Sequence, residues 1–84
     1  MKTHYLKTWP IYFDRIMDSS KTFEVRKNDR DFQTGDVLCL QEYDPTLKSF
    51  TAREARRCVS YILYGGNFGI ENGYVVMGLT DMQQ

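Results

Sequence analysis

A chain of 84 residues has room for one hydrophobic core, so residues 1–84 read as a single domain with no second unit. Eleven Lys and Arg balance eleven Asp and Glu, which excludes a general polyanion binder relying on a uniformly basic surface. The opening MKTHYLKTWP lacks the apolar run of a signal peptide, and no stretch approaches the ~20 apolar residues that cross a bilayer. Cys39 and Cys58 each sit in an apolar strand-like run, which favours reduced, buried thiols over a disulfide. A cytoplasmic protein with no membrane contact is the expectation. Two cysteines and one histidine without close ligand spacing give no metal signature and imply no cofactor.

In chain order, His4 to Lys7 reads as a first strand with Tyr5 and Leu6 on opposite faces. Thr8-Trp9-Pro10 starts a helix, because Thr can cap free N–H groups and Pro lacks the donor that a first turn leaves unpaired. Helical spacing then sets Tyr12 above Ile16 and Phe13 above Met17 as an apolar stripe, read as core. Asp18-Ser19-Ser20 ends it.

Residues 19–32, SSKTFEVRKNDRDF, concentrate charge: four cations and two anions fall between positions 21 and 30. A strand over Thr22 to Arg26 sends Phe23 and Val25 to one face, expected to be the core. Thr22, Glu24 and Arg26 share the other, with Glu24 and Arg26 about 7 Å apart and Lys21 at the strand mouth. Fixed cations beside a carboxylate make a polar-ligand site when a wall excludes some water. The plain alternative is a solvated face on which Glu24 and Arg26 merely pair, worth about 0–1 kcal/mol.

Asn28 to Asp31 is a polar turn that Phe32 anchors, and Gly35-Asp36 opens the next strand. Val37 to Leu40 is continuously apolar, as in a strand covered on both faces. Asp44-Pro45 turns into a loop reaching Ser49. Phe50 to Tyr64 is one long curved strand, although Ala52 to Arg57 has helical propensity. Glycines and asparagines punctuate residues 65–73, with Ile70 in a short helical turn. Tyr74 to Thr80 is the last strand, and Asp81 to Gln84 should fray. One helix cannot cover both faces of five strands, so the sheet should curl into a closed or nearly closed barrel plugged by the helix.

Ser19-x-Lys21-x-x-Glu24-x-Arg26 resembles the Gly-x-Lys-x-x-Glu-x-Arg motif of ASCH domains, a branch of the PUA-like barrels. HYLKTWPIYFDRI, KTFEVRKNDRDFQTGDVLCLQEYD and GGNFGIENGYVVM resemble DUF3850, a family of short ASCH-like proteins of bacteria and their phages, over nearly the whole chain. One departure is Ser19 in place of the motif's Gly, where a turn with φ > 0 would disfavour Ser. The resemblance implies an α+β fold: a small PUA-like β-barrel of about five mixed strands, one main helix, and a cleft beside the motif strand for RNA or a modified nucleoside. Lys21, Glu24 and Arg26 would line that cleft. Lys27 lies next to them, Lys7 and Thr8 stand at the strand-to-helix junction, and Trp9, Tyr12 and Tyr43 are candidate stacking surfaces set against a core role.

The leading expectation is an RNA- or nucleotide-binding module, with Glu24 accepting from a donor edge of the base and the cations taking oxygens. A second is a small hydrolase or nuclease acting on RNA or a modified nucleoside. Relatives that deacylate a modified cytidine place a Thr nucleophile where Glu24 stands, so that activity should not transfer. Lys21 with Tyr43 or His4 is the combination left for RNA cleavage. A third is a phage-type protein-interaction factor with a protein partner.

Overall fold

The structure is a computed structural model that describes residues 1–82. Its elements are β1 (Thr3–Thr8), α1 (Pro10–Met17), β2 (Phe23–Lys27), β3 (Val37–Asp44), β4 (Ser49–Tyr64) and β5 (Tyr74–Asp81). They form one five-stranded sheet in the order β1-β3-β4-β5-β2, with β1 parallel to β3 and every other pair antiparallel. Asp81 still belongs to β5 instead of fraying, Ile70 lies in a turn with no helix, and Gln83 and Gln84 fall outside the described residues.

The sheet curls without closing. Its two edges, β1 and β2, share no ladder, so the molecule is a mixed half-barrel with one short helix. Arginines span the gap: Arg26 Nη2 donates to the Lys7 carbonyl at 2.8 Å, and Arg30 Nη1 donates to the Tyr5 carbonyl at 2.7 Å. Each satisfies an edge carbonyl that a neighbouring strand would otherwise take.

Phe13 and Ile16 of α1 pack against Leu6, Leu38, Leu40, Val59, Ile62 and Met77 of the concave face. The other half of the stripe, Tyr12 and Met17, is exposed. Phe32 is fully buried, as expected, and its N–H is held by Asn28 Oδ1 at 3.0 Å. Val37 to Leu40 is buried on both faces, with Arg56 lying across Tyr5 to cover the convex side over Cys39. Cys39 and Cys58 are free thiols. Burial, then the Glu54 carboxylate beside it, pushes the Cys39 thiol up, which keeps it protonated.

Two bulges shape β4. The first, opposite Gln41–Tyr43, holds Ala52 at φ +75° and turns both Thr51 and Arg53 onto the buried Glu42. Arg53 then reaches Asp14 of α1 at 3.1 Å and lies over the Phe13 ring, pinning helix to sheet. Arg53 and Thr51 hold the Glu42 carboxyl below its ordinary range despite burial. The second bulge, at Ser60, presses close to Gly78, where an added Cβ would come within 2.8 Å of Ser60 Oγ.

Candidate functional site

The motif strand is inverted relative to the sequence expectation. Phe23 and Val25 are 44% and 51% exposed, whereas Glu24 is only 3% exposed. Register explains this: in the antiparallel ladder Glu24 stands opposite the fully buried Met77, and directly paired residues point to the same face.

Glu24 is buried because its charge is matched on both sides. Oε1 pairs with Lys21 Nζ, and Oε2 accepts from Arg26 Nε at 2.9 Å. Lys21 Nζ also donates to the Phe23 carbonyl at 2.8 Å, and Arg26 Nη2 reaches Thr8 Oγ1 at 3.4 Å. The carboxylate therefore fixes two cations in place, with one cation on each oxygen. Thr8, expected to cap α1, is buried against Arg26 instead, and Trp9 holds the N-cap position without a side-chain hydrogen bond.

This cluster borders a cleft of about 740 Å³, between the β1–α1 junction and β2. Lys7 and Thr8 line it from β1, Trp9, Tyr12 and Arg15 from the helix, and Ser20 and Lys21 from the following turn. Phe23, Glu24, Val25 and Arg26 complete it. Trp9 and Tyr12 are 52% and 48% exposed and stack with centroids 6.3 Å apart and planes 20° apart. A cleft of this size holds a drug- or nucleotide-sized molecule, with four cations and one carboxylate around a largely aromatic wall. A stripe read as core thus supplies the wall. Proline at the first helical position fixes where Trp9 leaves the strand, and one helical turn brings Tyr12 beside it.

Of the residues singled out from sequence, Lys7, Thr8, Lys21, Glu24 and Arg26 meet at this cleft. Lys27, the last residue of β2, is exposed and does not line the cleft. Tyr43 is outside the cleft, packed edge-on against Phe50 with centroids 5.1 Å apart. His4 is buried elsewhere, with Nε2 2.8 Å from Asp36 Oδ2 and its ring edge-on to Phe32, so it cannot join Lys21. Burial opposes ionisation of Asp36, but His4 and the N–H groups of Lys2 and Gln33 outweigh it and hold the carboxyl below its usual range. Arg15 is a lining residue that sequence reasoning missed; its place three positions after Tyr12 on one helix face was the available signal.

Among the described residues no group of His, Cys, Asp and Glu is arranged to hold a metal, and no helix is long and apolar enough to cross a membrane. An uncharacterised 12.9 kDa protein encoded in the GpA 3′ region of Escherichia phage P2 is 40% identical over 42 residues. That match takes in 50% of this chain and 38% of the phage protein, so less than half of the relative's length is spanned. Residues 3–79, the strand-helix-strand unit with its cleft and the remaining three strands, match the family described as Domain of unknown function (DUF3850), and the chain belongs to that family.

Proposed function

We propose that this half-barrel is a PUA-like module of the ASCH type that binds RNA or a nucleotide-like ligand in the cytoplasm. The observation that carries the reading is the pairing of Trp9 and Tyr12, half-exposed and stacked, with Lys21 and Arg26 fixed by one buried carboxylate across the same cleft. A base has a π-face for the first pair, and a phosphate has oxygens for the second. Arg26 Nη1 has no protein acceptor among the described residues and is the donor left for the ligand. A hydrolase reading lacks comparable support, because Tyr43 and His4, the partners that Lys21 would need for cleavage, lie away from the cleft.

Trp9 is the chain's one tryptophan, so its fluorescence reports on the wall directly. Titration with 5′-AMP and with a short single-stranded RNA should quench it saturably. Arg26→Ala should weaken that binding by about 1.5–3 kcal/mol, the value of a charge-assisted contact, with circular dichroism confirming that the sheet survives. Unquenched fluorescence with both ligands at millimolar concentration would overturn the reading.

A further inference from the structure

We propose that the binding surface continues past Lys7 onto a second platform formed by Tyr43 and Phe50, and that its occupant is a single strand of RNA covering both platforms. The inference rests on the reading of the cleft given above. Lys7 joins the two places. It lines the cleft and gives its carbonyl to Arg26, while its ammonium lies 4.3 Å from the Tyr43 ring centroid and 5.8 Å from that of Phe50.

The first bulge of β4 builds this platform. Past it the ladder resumes with Tyr43 directly opposite Phe50, which sets both rings on one face. Phe50 stays half-exposed. Lys7 makes no ion pair among the described residues, unlike Lys21 and Arg26, which share Glu24. A half-exposed ring beside a half-buried one, under an ammonium with no ion-pair partner among the described residues, suits a stacked base whose phosphate needs a cation. An apolar peptide would use the rings but leave the ammonium without a counter-charge. Lys7 lines the cleft with Trp9 and its ammonium lies over the second pair of rings, so one strand passing Lys7 can serve the two walls.

The test is a length series of 5′-AMP, the adenylate dinucleotide, the tetranucleotide and the hexanucleotide, read by Trp9 fluorescence and calorimetry. Wild type should gain at least about fivefold in affinity between 5′-AMP and the tetranucleotide, the fold-change that ~1 kcal/mol of stacking represents. Phe50→Leu keeps apolar bulk without a π-face; it should bind 5′-AMP as wild type does and lose most of the gain with length. Lys7→Gln, which keeps both rings, should flatten the salt dependence of hexanucleotide binding. If 5′-AMP binds but length adds nothing, or if Phe50→Leu keeps the full gain, the second platform is refuted while the cleft stands. If no member of the series binds, the reading of the cleft falls and this proposal with it.

Discussion

Glu24 organises the site by being buried between two cations that stay partly in water. Replacing it with Gln leaves Lys21 and Arg26 without their shared counter-charge and turns an amide donor toward one of them. Because the cations are partly exposed, the cost to stability should be about 1–3 kcal/mol, below that of a fully buried broken pair. The freed charge should tighten binding of a phosphate-bearing ligand. Chemical denaturation and calorimetry on Glu24→Gln check the two signs, and weaker phosphate binding would mean that Glu24 touches the ligand. Asp36 permits a separate test. Its carboxyl titrates lower in the folded state than the ordinary value of 3.8. The stability it contributes is therefore complete above that value and is lost as pH falls through the lower folded one. Asp36→Asn should cost about 1–3 kcal/mol at neutral pH, and its gap from wild type should narrow below about pH 4. Urea unfolding of both proteins across that range measures this.

At the scale of elements, the turn that follows α1 carries strain. Ser19 has φ +66° where the resembled motif has Gly, and the chain keeps the turn: Ser19 N–H bonds the Ile16 carbonyl, and Lys21 N–H bonds that of Arg15. These bonds end the helix in a left-handed residue and aim Lys21 back at the cleft. Ser19→Gly should therefore stabilise the protein by about 0.5–1 kcal/mol, since relief of left-handed strain exceeds the added chain entropy of glycine. A rise in thermal midpoint checks it. In β4 the buried residues Ala55, Val59 and Ile62 fall at a spacing that also fits a helix face. The bulge at Ser60 produces that spacing, because one extra residue switches the inward parity of the strand.

For the whole molecule, the charge balance is neutral while the cleft is cationic, which predicts selective and moderate electrostatics. A strand whose contacts neutralise two or three phosphates should show a log–log salt slope of about −1.4 to −2.1. Binding measured across a salt series reads this slope. A much steeper value would place the nucleic acid on a broader surface, such as the arginines of β4. The half-barrel form matters here, since the open seam between β1 and β2, bridged by Arg26 and Arg30, leaves Arg26 at the lip of the cleft.

The sequence by itself determined the element order, the helix set by Pro10, the doubly covered strand at Val37–Leu40 and the long strand through residue 64. These follow from periodicity, turn chemistry and β-propensity, all local. It also determined that Glu24 and Arg26 share one face of a strand, and that Lys21 stands near them. Alternation does not say which face is inside. That was decided by pairing with β5, more than fifty residues later in the chain, which set Glu24 beside Met77 and turned Phe23 and Val25 outward. Burying Glu24 became tolerable only once the curl of the sheet brought Lys21 and Arg26 onto its two oxygens and Arg26 onto the edge of β1. The same curl left Trp9 and Tyr12 as a wall and carried Tyr43 to a neighbouring surface. Local rules fix what each residue prefers, and long-range strand pairing decides which preferences share a site.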